Sequence, residues 1–156
     1  MNLLYVRKLV PEAKLPTKAH ATDAGFDLYA SQDIFIEKGR TVIVPTGIAI
    51  DIQPGYVGMI RDRSSMAAKG FQVGGGVIDA HYNGPVGVVL HNFSADGTSL
   101  KDQGHYLGYT LNGYYIHQGD KIAQLVIHKV ESPEVRETDH SWADGRGSSG
   151  FGSSGR

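Results

Sequence analysis

Asp79 and Tyr82 are the first candidates for chemistry, because they follow three consecutive glycines in the segment GGGVIDAHYNG (74–84). Glycine lets the backbone approach a ligand closely, and a carboxylate beside such a backbone can hold a water molecule or a metal ion. The same residues also suit an ordinary hairpin with polar side chains at its edge. The segment therefore predicts a candidate site and leaves both interpretations open.

A second candidate, for binding an anion, is the segment RDRSSMAAKG (61–70). Arg63, Ser64 and Ser65 stand where a helical turn begins, and the free N–H groups and dipole at the start of a helix attract phosphate. An ordinary capped helix with a surface arginine has the same pattern. Both interpretations stay open until the other segments are considered.

Glycine and serine dominate residues 146–156, which have the sequence RGSSGFGSSGR. Flexible linkers have this composition, and we expect residues 139–156 to be mobile on their own. Arg146 and Phe151 favour a closing arm over a linker. A guanidinium group can bind phosphate through two parallel hydrogen bonds, a phenyl ring can stack on a base, and bare backbone N–H groups can form an anion nest.

Composition excludes several other classes of function. The 156 residues predict one domain, and the net charge of −1 provides no basic excess for holding long nucleic acid. The absence of cysteine excludes disulfides, thiolate zinc sites and cysteine nucleophiles, and it fits a reducing compartment. We find no membrane span, no signal peptide, no clustered histidines, no phosphate loop of the G-x-x-x-x-G-K-[ST] type and no G-x-S-x-G motif.

Short strands must position these candidate residues. Apolar or alternating segments separated by glycine and proline predict a β-sandwich or barrel, and they occupy 33–37, 41–44, 47–52, 56–61, 86–92 and 122–130. We expect the last two to be buried on both faces. One short helix is predicted over 64–69, capped by Ser64 or Ser65 and ended by Gly70. Asn83-Gly84 predicts a two-residue hairpin turn.

Residues 94–117 separate two strands by more than a hairpin loop needs, and they contain four of the eight tyrosines. We predict that this segment forms its own small hairpin, with Asn112-Gly113 as the turn. Tyrosine is enriched in recognition surfaces, so the segment is either a surface hairpin whose tyrosines pack on its own base or a surface that binds a protein partner.

Taken in order, five segments resemble the five motifs of the deoxyuridine triphosphatases (dUTPases) of the all-β, trimeric type: ATDAGFDLYA (21–30), RDRSSMAAKG (61–70), GGGVIDAHYNG (74–84), GDKIAQLVI (119–127) and RGSSGFGSSG (146–155). The resemblance covers essentially the whole chain, and the third and fifth motifs are the most specific. It implies a single-domain, distorted jelly-roll barrel over residues 1–138 with one short helix, and a mobile C-terminal arm over 139–156.

The activity that this resemblance implies is Mg²⁺-assisted hydrolysis of dUTP to dUMP and pyrophosphate, which keeps uracil out of DNA and supplies dUMP for thymidylate synthesis. Asp79 matches the general base that deprotonates the water attacking the α-phosphorus. Asp27 matches the acid that supports the hydrated metal, while Mg²⁺ is held mainly by the substrate phosphates. Tyr82 matches the residue that packs on the deoxyribose and leaves no room for a 2′-hydroxyl group.

Other residues match the family's substrate-binding positions. Gly76, Val77 and Ile78 match the backbone that recognises the uracil edge, and Phe151 matches the ring that covers the uracil. The residues matching phosphate contacts are Arg63, Ser64, Ser65, Gln124, Arg146 (on the γ-phosphate), Gly152, Ser153 and Ser154.

The sequence departs from the family pattern in two places. His81 and Asn83 replace an acid and an arginine common in many relatives, and neither position carries the chemistry. The 94–117 segment is longer than in compact members, and some bacteriophage members carry an insert there. We therefore expect a phage or prophage origin and a cytoplasmic location, in a bacterium or a phage-infected host cell. We expect a homotrimer with no nucleic-acid or membrane partner, and a possible protein partner at the insert.

Two other functions compete with this hypothesis. A dCTP deaminase of the same fold uses glutamate as its base and lacks the Asp-x-x-Tyr pair, so Asp79 with Tyr82 speaks against it. A nucleotide-switched binding protein would use the 94–117 segment as its contact surface. The intact Asp79, Arg146 and Phe151 argue that such a protein would still be a catalyst.

Overall fold

The computed structural model describes residues 3–94, 103–106 and 109–139, and for 103–106 and 109–111 it describes the backbone. These residues form twelve strands and one short helix: β1 (Tyr5–Lys8), β2 (Gly25–Tyr29), β3 (Ile34–Glu37), β4 (Thr41–Pro45), β5 (Ile48–Asp51), β6 (Tyr56–Arg61), α1 (Ser64–Ala67), β7 (Phe71–Gly74), β8 (Val77–Ile78), β9 (Gly87–Asn92), β10 (Gln103–Tyr106), β11 (Tyr109–Ile116) and β12 (Lys121–Lys129). Within the described ranges, no helix is long and apolar enough to cross a membrane.

The described strands pair antiparallel in four sheets, ordered β1-β5, β10-β11-β3, β2-β12-β6-β8 and β4-β9-β7. Most paired strands are distant in sequence, as the pairing of β12 with both β2 and β6 illustrates. The predicted fold class, an all-β distorted jelly-roll barrel with one short helix, is confirmed.

The core lies between these sheets, and it is formed largely by alternate side chains along the strands, which are buried. Ile48, Ile50 and Ile52 share a buried face, each with at most 1% of its surface exposed. Burying one such side chain contributes roughly 1.5–3 kcal/mol to the stability of the fold.

The prediction that the segments at 86–92 and 122–130 are buried on both faces is wrong: β9 buries alternate residues, and β12 ends in exposed ones. Each packs only one face on the core, as antiparallel sheets commonly do.

The predicted turn at Asn83-Gly84 is wrong, since the strands on either side of it do not pair with each other. β8 pairs with β6, whereas β9 pairs with β4 and β7. The helix is shorter than predicted and begins after Arg63, with no side-chain capping hydrogen bond from a serine. Gly70 follows it at φ +86°, as expected of a residue that ends a helix.

The hairpin predicted within 94–117 is confirmed as β10 and β11, but its turn is not at Asn112-Gly113. Those two residues lie inside β11, and the strands instead close where Tyr106 pairs with Tyr109. The end of β11 pairs with β3, and Ile116 is 1% exposed. The last residues of the predicted insert are therefore part of the barrel.

Candidate functional site

Strand β12 brings three of the sequence motifs together. In its register, Gln124 lies opposite Asp27 of β2 on one side and opposite Arg61 of β6 on the other. The chain leaves β6 at Arg61 and reaches Arg63 and α1 within two residues. The first, second and fourth motifs thus meet at one end of a single sheet.

Asp27 is the centre of an ionic cluster in this region. Its Oδ1 accepts a hydrogen bond from Arg63 Nε at 2.9 Å, and its Oδ2 lies 2.7 Å from Lys121 Nζ. The Arg63 guanidinium also donates to the Lys121 carbonyl oxygen at 3.1 Å. The hydrogen bond with Asp27, together with its charge, raises the pKa of Lys121 above 10.5, so this ammonium stays protonated at neutral pH.

A cavity of about 370 Å³ opens over this cluster, and we call it the cradle cavity. Asp27, Arg63, Ser64, Lys121 and Gln124 all line it. The Gln124 side chain donates to the Asp62 carbonyl oxygen at 2.8 Å, which fixes its amide. Two cations and the start of α1 make this cavity suitable for a polyanion such as a chain of phosphates.

The carboxylates of the cradle cavity fit a metal ion only in part. Asp23 and Asp27 both line it, but Asp23 Oδ2 accepts the His20 N–H at 2.8 Å and Asp27 is shared by two cations. In the part of the chain that the structure describes, no three acidic or histidine side chains are grouped to ligate a metal. Mg²⁺ commonly keeps several waters and binds through one or two carboxylates plus substrate phosphates, and Asp27 suits that kind of binding.

A second cavity, of about 340 Å³, lies along the turn between β7 and β8, and we call it the hairpin cavity. Gly76, Val77, Ile78, Asp79 and Tyr82 line it. The five residues that the third motif offered as candidates are therefore brought together by the fold.

Glycine is required at the turn that shapes this cavity. Gly75 and Gly76 have φ of +69° and +98°, conformations that L side chains rarely adopt. A Cβ atom on Gly76 would lie 2.7 Å from the Ile60 carbonyl oxygen. The Gly76 carbonyl oxygen accepts the Ile60 N–H at 2.7 Å, so β6 holds the turn rigidly in place.

Asp79 and Tyr82 sit at the mouth of the hairpin cavity. Asp79 is exposed, and among the described residues its carboxylate has no hydrogen-bond or ion-pair partner, so it is open to solvent and ligand. Tyr82 is 46% exposed and donates through its hydroxyl to the Pro85 carbonyl oxygen at 3.0 Å, which fixes the ring. Between them, His81 has φ +66° and turns the chain so that both side chains reach the same cavity.

The structure does not join all the predicted site residues in one place. Within the described part of the chain, the cradle and hairpin cavities share no lining residue, and Ser65 lines a third cavity instead of the cradle. Arg146, Phe151, Gly152, Ser153 and Ser154 lie outside the described residues. Lys121 was not among the residues predicted from the sequence, although its position inside the fourth motif and its charge could have indicated it.

Comparison with known proteins agrees with these features. A family model for dUTPase matches residues 11–104 and 108–155. The deoxyuridine 5′-triphosphate nucleotidohydrolase of Mycolicibacterium gilvum is 39% identical over 160 residues, covering 97% of this chain and 94% of that protein. The enzyme of the same name from Fowl adenovirus A serotype 1 is 38% identical over 153 residues, covering 97% and 77%.

Solved structures show the same relationship. A variant dUTPase of Staphylococcus bacteriophage 80alpha, determined with dUpNHpp, aligns with a TM-score of 0.86 and 31% identity over 100% of both chains. The dUTPase of phage phi11 of S. aureus, described as showing a species-specific insert, aligns with a TM-score of 0.77 and 29% identity over 92% of this chain and 100% of that one. The fold, the two cavities and these matches together establish that the chain belongs to the dUTPase family.

Proposed function

We propose that this protein hydrolyses dUTP to dUMP and pyrophosphate. The observation that carries the proposal is the hairpin cavity, where a fixed tyrosine ring, a rigid glycine backbone and a carboxylate with no partner among the described residues line the same space. The cradle cavity adds the cations that a triphosphate requires. In the cell, this reaction keeps uracil out of DNA and supplies dUMP for thymidylate synthesis.

Asp79 acts as the general base in this mechanism. Its carboxylate takes a proton from the water that attacks the α-phosphorus, and a positioned base of this kind is worth roughly 10²–10⁴-fold in rate. The remaining requirements of phosphoryl transfer are positioning and neutralisation of charge. Arg63, Ser64 and Gln124 serve these requirements by holding the phosphates in the cradle cavity.

Selectivity for the nucleoside comes from the hairpin cavity. The backbone of Gly76, Val77 and Ile78 forms a narrow slot for the uracil edge, which leaves no space for the methyl group of thymine. The Tyr82 ring, held through its hydroxyl on Pro85, packs on the deoxyribose and excludes a 2′-hydroxyl group. A methyl-sized difference is worth only about 1–3 kcal/mol in an adaptable apolar pocket, so the rigidity of the slot matters.

Mg²⁺ is the cofactor that we propose. Asp27 would hold it through a water molecule, and the ion would neutralise developing charge on the phosphates when bound. This chain's own contribution is to keep Asp27 fixed between Arg63 and Lys121.

The assembly that we propose is a homotrimer, in which the cradle cavity of one subunit meets the hairpin cavity of another. The lack of any lining residue common to the two cavities supports this arrangement. So do two exposed apolar side chains at the β4-β9-β7 sheet: Ile43 on β4 is 67% exposed, and Phe93, which directly follows β9, is 63% exposed. Exposed apolar patches of this kind mark interaction surfaces.

The C-terminal arm, residues 139–156, closes over the bound nucleotide in this proposal. Arg146 binds the γ-phosphate, Phe151 covers the uracil, and Gly152, Ser153 and Ser154 line the phosphates. Every buried hydrophobic residue of the described core lies between Ala13 and Leu125. A chain truncated after Gly145 should therefore keep its melting temperature and lose dUTP hydrolysis. If the truncated chain is still active, residues 146–156 are a linker and not part of the active site.

A protein partner at the β10–β11 hairpin is the second part of the proposal, and the phage phi11 dUTPase is likewise described as having a species-specific insert. Backbone hydrogen bonds hold both ends of the hairpin segment on the barrel: Gly39 N–H donates to the Asn92 carbonyl oxygen and Lys38 N–H donates to the Asn112 carbonyl oxygen, each at 2.8 Å. A short glycine-containing turn can therefore replace 95–111 while β11 stays paired with β3.

The shortened chain should hydrolyse dUTP normally and fail to capture a partner that the full chain captures from lysate of the natural host. Loss of both hydrolysis and oligomer would instead make the hairpin a structural element. We propose that the protein acts in the cytoplasm of a bacterium or of a phage-infected host cell.

The experiment that tests the activity measures pyrophosphate and ammonia released by the purified full-length protein from dUTP, dTTP, UTP and dCTP. We expect pyrophosphate from dUTP with Mg²⁺ and little from dTTP or UTP. Release of ammonia from dCTP would identify the protein as the rival deaminase. Absence of product from all four nucleotides would favour the nucleotide-switched binding protein.

A further inference from the structure

Arg63 and Lys121 each line a third cavity as well as the cradle, and we call this smaller one the side cavity. It lies between α1 and strands β11 and β12, with a volume of about 190 Å³. Its polar lining consists of Arg63, Ser65, Lys69, Tyr114, Asp120 and Lys121. The side cavity is thus directly beside the expected position of the substrate phosphates.

The charge of the side cavity favours an anion. Of the described residues, three cations line it against one carboxylate, Asp120, whose Oδ2 already accepts the His117 N–H at 2.9 Å. Arg63 and Lys121 share Asp27, which lines the cradle cavity. They carry two positive charges against its single negative charge, so the group is not neutralised internally.

Lys69 is the least neutralised of these cations. Its Nζ donates to the Tyr114 hydroxyl at 2.6 Å and lies 4.7 Å from the centre of that ring. Among the residues that the structure describes, no carboxylate lies within ion-pair distance of this ammonium. Tyr114 is itself held edge-on against the buried Phe71, with ring centroids 5.3 Å apart, so it keeps the Lys69 ammonium at the wall of the cavity.

The size of the side cavity limits the anion. Its 190 Å³ corresponds to roughly six water molecules, below the ~300 Å³ at which pockets for drug-sized ligands begin. A nucleotide is too large, whereas orthophosphate and pyrophosphate are small, highly charged and rich in acceptor oxygens. The hydroxyl groups of Ser65 and Tyr114 and the ammonium of Lys69 supply donors for those oxygens.

We propose that the side cavity is a second anion site, which binds inorganic phosphate or pyrophosphate while the nucleotide site is occupied. One source of the anion, pyrophosphate released in the same active site, rests on the proposed function; free orthophosphate does not. Bound anion would share Arg63 and Lys121 with the cradle cavity, so it would weaken their hold on the phosphates of the next substrate molecule.

The test is a calorimetric titration of pyrophosphate, and separately of orthophosphate, into the full-length protein at low salt, with and without saturating dUpNHpp. We expect an anion to bind in both states. Lys69→Met should weaken this binding about tenfold, the size of one charge-assisted hydrogen bond. Tyr114→Phe, which keeps the ring on Phe71, should weaken it less. Lys129→Met removes the same charge at the far end of β12 and should change nothing.

Two results would overturn the proposal: complete displacement of the anion by dUpNHpp, or wild-type binding by a folded Lys69→Met protein. Tighter binding of pyrophosphate than of orthophosphate would identify the reaction product as the ligand, and the reverse would identify free phosphate. A wild-type protein that does not hydrolyse dUTP would contradict the proposed function alone. The comparison of Lys69→Met with Lys129→Met on nucleotide-free protein would then still decide the side cavity.

Discussion

At the scale of single residues, the proposed hydrolysis depends most on Asp79, an exposed carboxylate without a partner among the described side chains. Asp79→Asn keeps the size and polarity of the side chain and removes the base. We expect turnover of dUTP to fall roughly 10²–10⁴-fold with its affinity nearly unchanged, because no phosphate contact is lost. Steady-state kinetics together with dUpNHpp titration would measure both quantities, and near-normal turnover would remove Asp79 from the mechanism.

Lys121 is a residue that only the structure identifies. Lys121→Met leaves Asp27 with Arg63 as its single cation, so we expect weaker binding of dUpNHpp and a smaller dependence of that binding on salt. Lys129→Met again serves as the control for charge. Unchanged affinity and salt dependence in Lys121→Met would mean that this ammonium does not contact the phosphates.

The ion pair between Lys121 and Asp27 also predicts how the free energy of unfolding depends on pH. Since the folded-state pKa of Lys121 is raised above 10.5, its contribution to the free energy of unfolding is fully present below that pH and is lost as pH rises through the folded-state value. The difference in stability between wild type and Lys121→Met should therefore be constant from pH 7 to about pH 10 and shrink above it. Denaturant unfolding at several pH values would measure this, and a difference that grows with alkalinity would contradict it.

At the scale of elements, the turn between β7 and β8 has a matched pair of glycines. Gly76→Ala places a Cβ against the Ile60 carbonyl oxygen at φ +98°, whereas Gly75→Ala has a similar backbone conformation but meets nothing within 4 Å. We expect each to lose about 1–3 kcal/mol of stability to backbone strain, with Gly76→Ala losing more. Only Gly76→Ala should also weaken dUpNHpp binding strongly. Equal effects of the two variants on stability and binding would show that close packing on β6 is unimportant.

Local sequence patterns predicted elements better than they predicted connections. The strand over 56–61 has its predicted bounds, because alternation and the Pro54-Gly55 turn are local signals. Asn83-Gly84 and Asn112-Gly113 were wrong as turns, because a dipeptide reports its own conformational freedom and not which strands pair around it. Gly113 instead allows close packing on the Phe35 ring, a requirement set by a residue far away in sequence.

The candidate site was also predicted better in its local segments than in the contacts between segments. Most candidate residues of the first four motifs line the cradle or the hairpin cavity, and the hairpin cavity gathers those of the third motif as neighbours in sequence. The cluster of Asp27, Arg63 and Lys121 depends on the register of β12 against β2 and on the bulge between Lys121 and Ala123. That register is fixed by burial of the strand faces across the whole sheet, so it could not be derived from the motifs one at a time.

At the scale of the whole molecule, the central claim is that the cradle cavity and the hairpin cavity, which are separate on one chain, form one active site between subunits. The most direct measurement is dUTP hydrolysis by mixed oligomers of two inactive variants, Asp79→Asn and Arg63→Ala, co-expressed with different tags and purified through both. Each variant alone should be inactive. The mixed trimers should recover about a third of wild-type activity. Every trimer that carries both tags has two chains of one variant and one of the other, so one of its three sites combines the intact hairpin of one chain with the intact cradle of another. Mixed oligomers that form but show no hydrolysis would contradict the account, since a site built within one chain always keeps one of the two defects.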